Sequence, residues 1–155
     1  MHRHSAWRGF FGYDVETLDH PRFAGGRSGP QTREVMRGTD ATILLPYDPA
    51  RDSVLLVEQF RAGAHARGDA WPWTLEPVAG LVDALETPAQ AAHREAHEEA
   101  GIVLDRLLPA GGAYPSPGIT TEFYHLFVGL ADLSAPRGGG LAEEGEDIRV
   151  HVLAY

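Results

Sequence analysis

Apolar and polar positions change their spacing several times along this chain, and each change marks an element. Residues 1–37 alternate short apolar and aromatic groups (Phe10, Phe11, Tyr13, Val15) with turn formers such as Gly25-Gly26 and Gly29-Pro30. That pattern predicts a small antiparallel element rather than a helix. The run Ala-Thr-Ile-Leu-Leu-Pro-Tyr at 41–47 reads as a buried strand, residues 48–53 turn the chain, and 54–60 return it as a second strand. A further extended run covers about 74–79, and 121–129 and 148–153 read as two more strands. Between these last two lies a Gly-rich, acidic loop at 137–147.

The helical signal is concentrated at 88–100, and its ends are well marked. Thr87 suits the N-cap with Gln90 as its capping-box partner, Pro88 suits the first helical position, and Gly101 suits the C-terminal stop. The order of elements predicts a mixed β-sheet with one strong helix, an α/β or α+β fold, in a single domain over 1–155. No internal repeat or long low-complexity segment interrupts it.

Composition narrows the function. Hydrophobic residues make up 43% and charged residues 23%, ordinary for a globular protein. The absence of cysteine excludes disulfides, thiolate metal sites and thiol nucleophiles together. No apolar run approaches the roughly 20 residues that a membrane helix needs. The start, Met-His-Arg-His-Ser, lacks the apolar core of a signal peptide, so a cytoplasmic location is expected. With 22 acidic against 13 basic residues the net charge is −9, the wrong balance for a protein that tracks nucleic-acid phosphates. An acidic chain can still take an anionic ligand where metal ions and a few local arginines invert the field.

On the helix, Glu95, Glu98 and Glu99 share one narrow face, because spacings of three and four residues stack side chains. Ala89, Ala92, Ala96 and Ala100 form an adjacent stripe of small residues suited to close packing on a sheet. Crowded carboxylates repel one another, and a divalent cation with a preference for hard oxygen ligands removes that repulsion. A bare Glu-x-x-Glu-Glu is by itself more often a solvated acidic face. Its surroundings change the reading.

From Gly80 to Ile102 the chain resembles the Nudix box, Gly-x5-Glu-x7-Arg-Glu-U-x-Glu-Glu-x-Gly-U, where U is aliphatic. Gly80, Glu86, Arg94, Glu95, Glu98, Glu99 and Gly101 fill every fixed position, and Ala96 and Ile102 fill the U positions. Gly80 lets the loop backbone approach metals and diphosphate closely. Arg94 lies about one residue off the carboxylate face, where it can pair with Glu86 or Glu98. Glu95 and Glu99, one turn apart, are the expected metal ligands, with Glu98 as a shared ligand or one acting through water.

Outside the box, Ala113-Tyr-Pro-Ser-Pro-Gly118 with Glu122 following is similar to a segment of ADP-ribose pyrophosphatases, and Pro117 lies 16 residues after Gly101, near a marker proline of that subfamily. Arg8-Gly-Phe-Phe, Arg33-Glu34, Leu44-Leu-Pro-Tyr-Asp-Pro49, Val57-Glu-Gln-Phe-Arg61 and the stretch 140–152 continue the likeness over nearly the whole chain. The resemblance implies hydrolysis of ADP-ribose to AMP and ribose 5-phosphate with Mg2+, or Mn2+ in its place, at about two or three ions per site. It implies a sheet sandwiched by helices, with the N-terminal strands of 1–37 exchanged in a homodimer. The Ala79 carbonyl, Glu95, Glu99 and Glu146 would hold metal. Glu144, on the acidic loop, would be the general base, with Glu98 and Arg94 completing the catalytic group. Arg61 would contact the diphosphate or ribose, Arg33 and Glu34 would reach a substrate on the partner subunit, and Glu122 would order the loop or bond the substrate. Gly138-Gly139-Gly140 would hinge that loop.

His93 and His97 have a spacing that can bind zinc on a helix, but they sit nearly opposite the carboxylates, and Arg94 stands where a zinc peptidase needs its glutamate. Solvated or packed histidines are the better reading. The family usually continues into a helix after its last strand, whereas this sequence ends at Tyr155, an expectation that bears on the dimer surface. Rival readings are a nucleotide-sugar hydrolase, for example of GDP-mannose, and a non-catalytic ligand sensor. The sensor would be expected to lose box glutamates, and none is missing.

Overall fold

A computed structural model describes residues 2–141 and 145–155. Two compact units divide the chain, Met1–Asp40 with Tyr114–Phe123, and Ala41–Ala113 with Tyr124–Tyr155.

In the first unit β1 (His2–Arg8), β2 (Gly12–Leu18) and β3 (Gln31–Arg37) form an antiparallel sheet in that order, as the alternating pattern predicts. Its polar centre is Asp14, fully buried, with Arg3 Nε at 2.6 Å, Arg37 Nε at 2.8 Å and Arg8 Nη2 at 3.2 Å. The Arg37 hydrogen bond, above all, holds the Asp14 carboxyl below its ordinary range. The segment after Tyr114 joins the end of β3. Met36 N donates to Ile119 O at 2.7 Å, and Thr121 N donates to Met36 O at 3.0 Å.

The second unit carries β4 (Ala41–Asp48), β5 (Ser53–Phe60), α1 (Ala62–Arg67), β6 (Trp73–Glu76), β7 (Val78–Leu81), α2 (Pro88–Ala100), β8 (Arg106–Ala113), β9 (Tyr124–Leu130) and β10 (Arg149–Ala154). Its seven-stranded sheet runs β10-β5-β4-β9-β8, with β6 added to β5 and β7 to β4. Only β4 and β9 are parallel among the described pairs.

Strands β4 and β5 pair directly at Tyr47↔Val54 and Asp48↔Ser53, then each takes a new partner. β7 pairs with Ala41 to Leu44 of β4, and β6 pairs with Val57 to Phe60 of β5. The single extended run expected over 74–79 is therefore two strands serving two neighbours. Pro77, which has no N–H to give a ladder, stands at the break. Two elements escaped the pattern altogether. β8 contains Pro109 and a bulge before Gly111, tolerable because β8 is the last strand of the sheet. α1 is six residues long and buries none of them. The strand expected at 121–129 starts only at Tyr124, since the residues before it belong to the other unit.

The core lies between the sheet and α2. Leu44, Leu55, Val57 and Val78 meet Ala96 and Ala100, with Ile102, Leu104, Ala131, Leu133 and Ile148 closing the edges. Among the described helices none is long and apolar enough to cross a membrane.

Asp48 fixes the corner between β4 and β5. Its Oδ1 accepts from Ala50 N (2.9 Å) and Arg51 N (3.2 Å), and its Oδ2 from Leu133 N (3.0 Å) and the Arg51 guanidinium (2.7 Å). These donors, Leu133 N foremost, lower its pKa from 3.8 to about 2. A lowered carboxyl contributes stability above its unfolded pKa and loses it as pH falls through the folded value. Asp48→Asn should thus lower the thermal midpoint at neutral pH. It should also flatten the pH dependence of stability between 3.8 and about 2, read by circular-dichroism melts across that range.

Candidate active site

Helix α2 forms as its sequence dictates. Gln90 N donates to Thr87 Oγ1 at 3.3 Å and Thr87 N to Gln90 Oε1 at 2.8 Å, completing the capping box, while Gly101 ends the helix with a left-handed φ of 61°. The buried face is Ala91, Ala92, Glu95, Ala96, Glu99 and Ala100. Ala91 takes the buried place expected of Ala89, which is only half-buried. Two of the three expected carboxylates thus point inward with the alanines. His93 and His97 are exposed.

Arg94 does more than the expected pairing. Its guanidinium donates to Glu86 Oε1 (2.7 Å), Glu95 Oε1 (2.6 Å), Glu98 Oε2 (3.0 Å) and the Leu81 carbonyl (3.0 Å). Glu86 is consequently held below the usual carboxylate range, chiefly by Arg94, and Arg94 is more firmly protonated than a free arginine. This one side chain ties the loop before α2, the strand β7 and the helix together.

Glu95 reaches across Gly80. A methyl group on Gly80 would overlap the Glu95 carboxylate, so only glycine admits the helix acid this close to β7. Burial raises the Glu95 pKa, with Arg94 opposing and Glu98 and Glu146 adding to it. Glu99 is 3% exposed. Its Oε2 accepts from Ala79 N at 3.1 Å and its Oε1 from Gln59 Nε2 at 3.3 Å. Burial pushes its pKa to about 7, and the charges of Glu95 and Glu146 push the same way.

Glu146 comes from the acidic loop, where its Oε2 accepts from Leu141 N at 2.9 Å. The base of that loop is clamped to the end of α2, with Arg137 N on Ala100 O (2.9 Å) and Gly140 N on Glu98 O (3.0 Å). The glycines expected to hinge the loop also serve its packing. A Cβ on Gly139 would overlap the Glu98 carbonyl, and one on Gly138 would sit 2.7 Å from the Ile148 carbonyl. They permit close backbone contact. Glu144, the expected general base, lies outside the described residues.

Arg61 is engaged by an acid that sequence reasoning missed. Arg61 Nε donates to Glu76 Oε1 at 2.9 Å and Nη2 to Glu76 Oε2 at 2.7 Å, and Thr74 Oγ1 also donates to Glu76. Gln59 was likewise missed. Both are contacts between residues 15 or more apart in the chain, and no local spacing signals them. The remaining expected residues belong to the first unit. Arg33 bonds the Thr32 carbonyl (2.8 Å) and Gln31, Glu34 accepts from the Tyr13 hydroxyl (2.8 Å), and Glu122 has its pKa raised by burial and by Asp40.

These donors suit a divalent cation. Glu95 and Glu99 offer hard oxygens on adjacent turns, both are destabilised as anions by burial, and the carboxylate at Gly80 occupies space that any side chain would fill. Among the described residues no three acidic or histidine side chains are already gathered in a metal-holding arrangement. The fit therefore rests on donor chemistry and burial.

Two substitutions test this electrostatic picture. A carboxyl with a raised pKa contributes stability below its unfolded value, and that stability is lost as pH rises through the folded value. The metal-free protein should lose stability from pH 4.5 to about 7 because of Glu99. Glu99→Gln should remove that slope and, in chelator at pH 8, stabilise the fold by on the order of 2 kcal/mol, measured by denaturant titration. Gly80→Ala should drive the Glu95 carboxylate out of its place, lowering the melting temperature and weakening Mn2+ binding in calorimetry.

The NUDIX domain family matches residues 36–153. The ADP-ribose pyrophosphatase of Haemophilus influenzae is 45% identical over 150 residues, covering 95% of this chain and 69% of that protein. The GDP-mannose pyrophosphatase of Pectobacterium atrosepticum is 39% identical over 126 residues, covering 81% of this chain and 64% of that protein. A crystal structure of an ADP compounds hydrolase superposes with a TM-score of 0.70 at 19% identity, covering 99% of this chain and 76% of that one, a likeness of fold. The box of acids on α2, the mixed sheet that carries it and these matches give one conclusion, that the chain belongs to the Nudix hydrolase family.

Proposed function

We propose that this protein hydrolyses the pyrophosphate bond of ADP-ribose to AMP and ribose 5-phosphate with the help of Mg2+. The observation that carries metal-assisted hydrolysis is the buried pair Glu95 and Glu99, both with raised pKa, set against Gly80 and Ala79. The substrate is supported by the 45% identity to an ADP-ribose pyrophosphatase along almost the entire chain.

Glu95, Glu99, Glu146 and the Ala79 carbonyl would hold the metal, with Mn2+ as a substitute and about two or three ions at work. When bound, such ions polarise phosphoryl oxygens and favour ionisation of water. The chain's own residues do the positioning. Arg94 fixes Glu86, Glu95 and Glu98 relative to one another by donating to all three carboxylates and to the Leu81 carbonyl. Glu98, half-buried on the same helix, would accept a hydrogen bond from a metal-bound water or share a metal directly. Arg61 would meet the diphosphate or ribose, and Glu76 fixes its orientation. Glu144 would accept the proton of the attacking water, a role that comes from the family resemblance alone. Arg33 and Glu34 would reach a substrate bound to the partner subunit of a homodimer with exchanged N-terminal strands, and Glu122 would order its loop or hydrogen-bond the substrate. The cytoplasm is the proposed location.

A nucleotide sugar such as GDP-mannose is the second reading, favoured by the 39% identity to a GDP-mannose pyrophosphatase. Incubation with Mg2+ and either compound, followed by chromatography of the products, separates the two. The expected result is release of AMP from ADP-ribose at a kcat/KM at least about tenfold above that for GDP-mannose, a difference of ~1.4 kcal/mol in transition-state binding. Glu99→Gln should abolish turnover with the fold intact, and Glu144→Gln should lower kcat by about 100-fold or more. Wild-type turnover in the Glu99 variant would refute the metal assignment.

A further inference from the structure

We infer that Gln59 is a positioning residue for Glu99, holding that carboxylate in the orientation in which it binds metal. The inference rests on the divalent-metal reading above.

Strand β5 turns Ser53, Leu55, Val57 and Gln59 to the buried side, the side that faces α2 through Glu99. Leu55 and Val57 there are core residues at 0% exposure. An amide at the next buried position, 6% exposed, is costly unless it is hydrogen-bonded. Its partner is Glu99 Oε1, at 3.3 Å from Nε2. The other oxygen, Oε2, is held by Ala79 N from β7. The carboxylate is thus gripped from two different strands, one donor to each oxygen. That matters because the last torsion of a glutamate is broad and settles on no orientation of its own.

The choice of donor also matters. Glu95 is held by a cation, Arg94, which competes for the oxygen lone pairs that a metal would use. Gln59 is neutral. It directs Glu99 through a single hydrogen bond to one oxygen and brings no competing cation, so lone pairs of the carboxylate stay open to a divalent ion. Partners of this kind, one step removed from the metal, typically change its affinity by 10–100-fold when deleted.

Gln59→Met keeps the shape of the side chain and removes the donor, and Gln59→Asn keeps the amide but cannot reach. Both are compared with wild type and Glu99→Gln by Mn2+ titration in the calorimeter, with melting temperatures alongside. Gln59→Met and Gln59→Asn should each bind Mn2+ about tenfold or more weakly. The Mg2+ concentration for half-maximal activity should rise by a similar factor, while KM for ADP-ribose at saturating Mg2+ stays within about twofold. Adding Gln59→Met to Glu99→Gln should cause no further loss of affinity. A folded Gln59 variant that binds Mn2+ like wild type while Glu99→Gln does not would overturn the inference, as would a lower melting temperature with unchanged metal affinity. Equal Mn2+ binding by wild type and Glu99→Gln would instead overturn the metal reading, and this inference with it.

Discussion

Glu95 and Glu99 are packed between α2 and β7, where water is scarce and each carries a pKa above its ordinary value. Folding this chain at neutral pH therefore means burying charge that burial opposes, and several features of the second unit exist around that constraint. Gly80 gives up its side chain so that Glu95 can fit. The alanines on the same helix face bring α2 close enough to the sheet for Glu99 to meet the backbone of β7. Arg94 supplies charge to Glu95, Glu98 and Glu86 together. Stability is given up at one place so that a cation can gain there.

The balance of local charge decides what kind of ligand could follow. Arg94 shares three acids, and Arg61 is paired through two oxygens with Glu76. Neither arginine leaves a net positive field behind, and Glu99 and Glu146 add further negative charge. A diphosphate approaching this surface alone would be repelled. Divalent ions invert that field, which is how a chain of net charge −9 becomes consistent with an anionic substrate.

What was legible in the sequence was local. The capping box, the Gly101 stop and the inward face of α2 depend on residues three or four apart, and they appear as the sequence predicts except that Ala91 is buried in place of Ala89 and Glu98 is only half-buried. So does the three-stranded sheet of the first unit. The pairing of Arg94 with Glu98, four residues on, was within reach for the same reason, whereas its bond to the Leu81 carbonyl required the fold of β7. Glu76 and Gln59 were not legible, because each is given its role by a partner in another element. Residues 74–79 misled for a physical reason: the apolar pattern continues through Pro77, yet the strands on its two sides bond different neighbours. For the glycines of the acidic loop, read as a hinge, the fold adds a use that no local pattern signals: they admit the Glu98 and Ile148 carbonyls at close range.

The close approach has its own consequence. The end of an α-helix leaves carbonyls without intrahelical donors. In α2 the carbonyls of Ala96 and His97 are taken by Ile102 N and Gly101 N in the helix stop, and those of Glu98 and Ala100 by Gly140 N and Arg137 N. The loop that brings Glu146 is therefore registered on the same helix that brings Glu95 and Glu99, through backbone bonds that ask for no particular side chain except its absence at Gly139. Ile148, bonded through its N–H to Gly139 O and buried in the core, fixes the other end of that connection. Acids from two separate stretches of sequence are thereby set in one frame by main-chain geometry. Their separation then depends on the helix terminus and on the strands beneath it, and a side chain at Gly139 would disturb it without touching any carboxylate.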